Sequence, residues 1–197
     1  MRSIVVAHYN EDLSWLRDIP DLAGCVIYVY VKGEMPTCEL PENARLIRLP
    51  NVGRESHTYL YHVLTHYDKL SEYVLFIQGH PWDHRTKEQV FGPYMTCENA
   101  FYPVANKLRM PKWWKISQGG VKSSGGTISD WWRRVFDEPY PSYGTRVVWN
   151  GIFSVRRDLI LKRPLIYYER LFKTLNHHSN PEEGHFFERT WGDIFAP

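Results

Sequence analysis

Tyr73-Val74-Leu75-Phe76-Ile77 runs directly into Gln78-Gly79-His80-Pro81-Trp82-Asp83-His84. Five successive apolar residues closed by a Gly/Pro turn read as a strand covered on both faces, and so as the centre of a sheet. Upstream, residues 55–70 carry Leu60, Val63, Leu64 and Tyr67 at helical spacing. The turn Pro50-Asn51-Val52-Gly53 precedes that helix. Residues 45–49 (RLIRL), 25–31 (CVIYVYV) and 3–8 (SIVVAH) read as three further strands. A short helix follows the first, with Asn10 or Asp12 as its cap. Strand and helix thus alternate over residues 3–77. This predicts an α/β fold whose mixed, mostly parallel central sheet is flanked by helices.

Ligands of such sheets bind beyond the carboxyl ends of the strands. Three polar clusters fall at such ends: His8 to Asp12, Asn51 to His57 and Gln78 to His84. The topology therefore predicts one site built from all three.

The second half is less regular. Residues 87–109 read as one or two helices. Residues 117–127 (SQGGVKSSGGT) form a Gly/Ser-rich loop, either a lid or a solvated connection. A helix over 129–137 takes Ser129 or Asp130 as its N-cap. Residues 147–155 read as a strand pair or a strand kinked at glycine. An amphipathic helix over 158–175 meets Pro164. The last helix, 181–191, opens with Pro181, Glu182 and Glu183.

At 197 residues, with 43% hydrophobic and 23% charged residues, the chain suits one folded domain over 1–197. Neither a repeat nor a linker is visible. A net charge of +2 is too mild for a nucleic-acid binder held by phosphate neutralisation. The three cysteines include no CxxC pair, which points to reduced thiols and away from a four-cysteine zinc site. No apolar run approaches the roughly 20 residues of a membrane span. The opening Met-Arg-Ser is unlike a signal peptide, so the expected location is cytoplasmic. Eight Trp, 13 Tyr and 9 Phe exceed what a core of this size needs and point to an aromatic-lined ligand groove.

Several familiar motifs are missing. His62 and His66 share a helix face but lack the HExxH pattern, so structural histidines are the simpler reading. His177-His178 is weaker still. The Gly-rich loop lacks Walker A spacing. There is no GxSxG elbow and no GxGxxG fingerprint.

The stretches VVAHYNEDLSWL (5–16), LPNVGRESHTYLYHVL (49–64), YVLFIQGHPWDH (73–84) and EGHFFERTWGDIF (183–195) resemble a domain-of-unknown-function family. Its members are fungal, bacterial and large-virus chains, and it is similar to glycosyltransferases of the GT-A type. That resemblance implies a single GT-A-like domain. His8, Tyr9, Asn10 and Glu11 then hold base and ribose, with Tyr9 stacking on the base. Gly53 lets the backbone approach the diphosphate, and Arg54 offers it a donor fork. His57, Gln78, Gly79 and His80 complete the nucleotide-sugar site. The helix start near Glu55 adds a positive end. Structural pairing of Arg54 with Glu55 or Asp83 is the plainer alternative.

GT-A enzymes usually carry Asp-x-Asp after the central strand. This chain has His80, Asp83 and His84 instead, a set that suits Mn2+ better than Mg2+. A metal-free site relying on basic side chains is the other option. Trp149 and Gly151 correspond to a strand facing sugar and acceptor, and Trp131, Trp132 and Trp149 are stacking candidates, with core packing as the alternative. Glu188, and next Glu183, are candidates for the general base. Glu188 could otherwise pair with Arg189.

The resulting expectation is transfer of a sugar from a nucleoside-diphosphate sugar, UDP favoured, to a glycan or glycoprotein acceptor. Rivals are a non-catalytic carbohydrate- or nucleotide-binding module and a metal-dependent nucleotide hydrolase.

Overall fold

Tyr73–Gln78 forms strand β4 in the computed structural model, and every residue from Val74 to Ile77 is buried. The structure describes residues 1–19, 22, 24–83, 85–96, 99–103 and 109–195. β4 lies beside β1 (Arg2–His8), in parallel register. On the other edge of β1 follow β2 (Cys25–Val31) and β3 (Ala44–Arg48), also parallel. Helix α1 (Arg54–His66) carries the chain from β3 back to β4. Chain order therefore runs outward through β1, β2 and β3, then reverses to the far side of β1.

The sheet is completed by β5 (Phe101–Pro103) and β8 (Phe153–Arg156) in the order β3-β2-β1-β4-β8-β5. β8 is antiparallel to both of its neighbours. A short ribbon of β6 (Arg109–Met110) and β7 (Thr145–Arg146) stands apart.

Alternation along the central strands sends side chains into two cores. Val5, Val74 and Phe76 pack on one face with Leu60, Val63, Leu171 and Trp191. Ile4, Val6, Leu75 and Ile77 pack on the other with Trp15, Phe91 and Tyr94. Both faces are covered, which is why these strands read as unbroken apolar runs.

Boundaries differ from expectation where local chemistry was misread. α2 (Lys87–Thr96) is the one helix described in the 87–109 region. α3 (Ile128–Phe136) is capped by Thr127, not Ser129 or Asp130. Thr127 and Asp130 form a reciprocal capping box, so Asp130 is the third helical residue. The 158–175 helix is two: α4 (Arg157–Ile160) and α5 (Leu165–Lys173), with Pro164 as the N-cap of the second. The last helix also divides, into α6 (Glu182–Glu188) and α7 (Trp191–Phe195), with Pro181 capping the first. The 147–155 strand is shortened by a 3-10 turn at Trp149–Gly151, in which Asn150 and Gly151 take left-handed φ of 60° and 61°. Among the described residues, no helix is long and apolar enough to cross a membrane.

Candidate functional site

The carboxyl ends of β1, β2 and β4 meet where strand order reverses, and a cavity of about 470 Å³ opens there. β1 contributes Ala7 and His8, the loop after it Tyr9 and Glu11, the residue after β2 Lys32, and the end of β4 Gln78. The turn after β3 contributes Asn51, and the first turn of α1 Arg54 and Glu55. The segment before α6 supplies Ser179 and Asn180.

The turn entering α1 depends on its glycine. Gly53 has a left-handed φ of 63°, and a Cβ there would lie 2.7 Å from the Leu175 Cβ. Arg54 follows at φ 52°. The Gly53 and Arg54 amides donate to the carbonyls of His178, at 2.8 Å, and Ser179, at 3.3 Å. These two amides are therefore spent within the protein and are not offered to an anion. The Lys32 ammonium supports the same turn, donating to the Val52 carbonyl at 2.6 Å and to the Arg54 carbonyl. Three donors less two leave one N–H for a ligand. Burial pulls Lys32 down to about 7, against the attraction of Glu55.

Glu55 is the carboxylate at the cavity wall, with its side chain 9% exposed and 3.4 Å from the Arg54 Nε. Burial raises its pKa, the Arg54 charge lowers it, and the Glu188 charge raises it again. The Arg54 guanidinium also donates to the Asn180 Oδ1 at 3.2 Å. The structural pairing weighed for Arg54 is thus real with Glu55, yet the side chain still lines the cavity and remains partly exposed.

Glu11 locks the loops after β1 and β4 together. Its carboxylate accepts the Tyr9 amide at 2.7 Å. It also occupies the space a Gly79 side chain would need, 2.5 Å from the position of the missing Cβ. Tyr9 stands at the rim, 49% exposed. His8 is buried, bonded through Nε2 to the Glu11 carbonyl, while its Nδ1 has no partner among the described residues. The Gln78 side-chain amide donates to the Asn150 carbonyl.

Five of the sequence candidates thus line one cavity: His8, Tyr9, Glu11, Arg54 and Gln78. Others lie elsewhere. Asn10 accepts the Glu34 amide at 2.8 Å and shapes the loop after β2. Asp12 holds a turn by accepting from Ser14. His57 is buried against Phe172, with ring centroids 4.6 Å apart, and burial drives it down to about 3. Gly151 packs on Glu55, which a Cβ would approach to 3.2 Å. Trp149 lies with the Arg189 guanidinium 5.0 Å above its ring. His62 and His66 stack at 4.4 Å, and His62 bonds the Tyr30 hydroxyl at 2.9 Å. These two are structural histidines, as the missing motif suggested.

Trp131 and Trp132 take the alternative of core packing. They are 1% and 6% exposed, and Trp131 packs between Phe186 and Phe187. Two large apolar side chains on a capped, amphipathic helix are core residues, and no sugar reaches them.

The candidate bases are engaged. The Glu188 carboxylate accepts the Asn150 amide at 2.6 Å and pairs with Arg189 at 2.7 Å. Glu183 is bracketed by Arg134 and His177, each at 3.7 Å. Glu182 holds the Gly/Ser-rich loop, accepting from the Ser123 hydroxyl and from both the amide and the hydroxyl of Ser124. The base of that loop is tied down, which a freely opening lid would not be.

His80 and Asp83 form an exposed pair at 3.6 Å, and His84 lies outside the described residues. Among the described residues, no three His, Cys, Asp or Glu side chains converge as a metal site. The donor set in view is one imidazole and one carboxylate, short of what holds Mn2+ or Mg2+ firmly.

Lys32, Ser179, Asn180 and the β1 residue Ala7 line the cavity outside the three predicted clusters, whereas Asn51 and Glu55 fall inside the Asn51 to His57 cluster. Lys32 was within reach of the strand-end rule, since it follows β2 directly. Ser179 and Asn180 carry no local signal, because contacts distant in sequence bring them to the cavity.

No curated protein matches the chain. Residues 4–96, which hold most of β1, all of β2 to β4 and most of the cavity wall, match the model of a family described as "Protein of unknown function (DUF3431)".

Proposed function

We propose that this chain is a glycosyltransferase that moves a sugar from a nucleoside-diphosphate sugar, with UDP favoured, to a glycan or glycoprotein acceptor. The carrying observation is the cavity at the strand-reversal point, where Arg54 and Lys32 face an exposed aromatic rim at Tyr9. In this reading Arg54 binds the diphosphate through its fork, and the last Lys32 N–H adds a second cationic donor. Tyr9 stacks on the base. His8 and Gln78 border the sugar end.

Inverting transfer needs a carboxylate that accepts the acceptor's hydroxyl proton. We assign that to Glu55, since it lines the cavity and burial makes it more basic. Glu188 supports it by fixing the Trp149–Gly151 turn beside it. Leaving charge on the diphosphate is met by Arg54 and Lys32. In this reading Arg54 and Lys32 offset the charge that a bound cation would otherwise meet. A cytoplasmic location and the lack of a nucleic-acid partner belong to the same reading.

Titration calorimetry and thermal shift with UDP, GDP, CMP and their sugars test it, with and without Mn2+. A nucleotide at 100 times its dissociation constant adds about 2.7 kcal/mol of stability. Binding is expected for a nucleoside diphosphate and its sugar, followed by release of the diphosphate. No binding by any nucleotide sinks the proposal. Engagement of both Glu188 and Glu183 favours the non-catalytic binding module as second reading. That module binds the sugar nucleotide and never releases the diphosphate. A metal-dependent hydrolase instead turns over nucleotides lacking a sugar.

A further inference from the structure

A second cavity, of about 510 Å³, lies between two turns that share no residue with the first. One turn is Pro111 to Trp114, closed by the Trp114 amide on the Pro111 carbonyl at 3.0 Å. The other is Pro141 to Gly144, closed in the same way at 2.9 Å. The β6–β7 pairing holds the turns opposite each other. The Tyr140 hydroxyl fastens them, bonding the Met110 carbonyl at 2.8 Å and the Thr145 hydroxyl at 2.7 Å. Gly144 has a φ of 77°, and a Cβ would lie 2.5 Å from the Met110 carbonyl oxygen. The cleft is thus held by its own backbone.

What it presents is unusual for a solvent surface. Trp113 is 71% exposed and Tyr143 64%. Both are large aromatics left in water on braced turns, where the core could not use them. The Arg109 guanidinium stacks 4.6 Å above the Tyr143 ring and donates to the Gly144 carbonyl, so its position is fixed. Lys112 is the second cation. Among the described residues the lining has no Asp, Glu, Asn or Gln.

That inventory narrows the ligand. An open aromatic face takes the C–H face of a pyranose ring, and two cations with no carboxylate in the lining take an anion. We propose that this cleft binds an acidic saccharide, one bearing uronate or sulfate groups, with its ring on Trp113 and its anion between Arg109 and Lys112. The site stands on its own geometry, whether or not the first cavity transfers a sugar.

Titration calorimetry on the full chain tests this with hexagalacturonate and a heparin hexasaccharide, and with cellohexaose as the neutral counterpart. At least one acidic probe is expected to bind, with affinity falling as salt rises, and cellohexaose to bind much more weakly. Trp113→Ala should weaken the acidic probe by about tenfold or more, as for a central aromatic anchor. Lys112→Gln should cost about tenfold, the low end for a charged hydrogen bond. Both residues are exposed, so each variant should keep the wild-type melting temperature. Failure of both acidic probes to bind overturns the proposal. So does equal affinity for cellohexaose, displacement by UDP, or binding that neither substitution changes. Loss of UDP binding at the first cavity bears only on the transferase reading.

Discussion

The Glu188 carboxylate accepts the backbone amide of Asn150 at 2.6 Å, joining α6 to a left-handed turn beside the cavity. Its other oxygen meets Arg189, which is 8% exposed and stacks 4.1 Å above Trp114. One side chain thus satisfies a strained turn and a buried cation together. Glu188→Ala removes the acceptor of the Asn150 amide and the carboxylate that offsets the Arg189 charge, although Arg189 keeps its bond to the His185 carbonyl at 2.8 Å. We expect a loss of about 3–5 kcal/mol in denaturant unfolding, as for a broken buried ion pair. Glu188→Gln can still accept the amide and should lose less. Equal losses for the two would remove the turn contact from the account.

Tyr9 and Trp131 make opposite predictions although both were ligand candidates from sequence. Trp131→Ala empties the space between Phe186 and Phe187 and should cost about 3–5 kcal/mol of stability. Tyr9→Ala at the exposed rim should stay within about 0.5 kcal/mol of wild type in stability. It should, however, weaken nucleotide affinity. Differential scanning calorimetry and UDP titration on both variants separate the roles. Unchanged UDP affinity in Tyr9→Ala would take Tyr9 out of the site.

Arg54 is the residue on which the donor proposal leans most. Arg54→Ala should weaken nucleoside-diphosphate binding by about 1.5–3 kcal/mol, the range for a charged hydrogen bond. Arg54→Lys should recover little, because an ammonium lacks the planar fork. Calorimetric titration of UDP into each variant reads the difference. Full affinity in Arg54→Ala would refute the assignment.

The strand-end clusters were legible because a parallel sheet makes its own rule. An apolar run of strand length must be paired and covered, and the reversal of strand order at β1 opens the crevice. His8, Tyr9, Glu11, Arg54 and Gln78 were found that way. Trp131 and Trp132 were not separable from surface aromatics by composition. Their burial depends on which face of α3 meets α6, and that contact is tertiary. Glu188 was a candidate base because it sits in His185-Phe186-Phe187-Glu188-Arg189-Thr190-Trp191, where the resemblance expects one. Its occupation by Asn150 and Arg189 depends on a turn whose φ no local pattern announces. Ser179 and Asn180 reach the cavity through the carbonyls that cap α1, a pairing distant in sequence.

Glu55 gives a stability test that needs no substrate. Burial raises its pKa in the folded state, so the native protein binds more protons than the unfolded chain between the unfolded and folded pKa values. Stability from this group is therefore full at low pH and is lost as pH rises through the folded pKa. Glu55→Gln carries no such cost. The variant should melt above wild type at pH 8, and the two curves should converge near pH 4. A variant that melts below wild type at pH 8 would mean that its pairing with Arg54 outweighs burial.

Acid should unfold this protein through three buried histidines. Burial lowers His57 and His62 to about 3 and His185 to about 4. The Lys32 charge adds to the effect at His57, His66 at His62, and Arg54 with Arg189 at His185. Each folded pKa lies below the unfolded value near 6.5. The unfolded chain therefore binds more protons between roughly pH 4 and 6.5, and stability rises with pH across that window. Each histidine contributes up to about 1.4 kcal/mol per pH unit there. His62 is the cleanest to remove, being 1% exposed and outside the cavity lining. His62→Gln also disturbs the Tyr30 hydroxyl, which shifts the whole stability curve. The informative quantity is the slope, read from urea unfolding at several pH values between 4.5 and 6.5. It should flatten by close to one proton, and an unchanged slope would show that His62 does not titrate on unfolding.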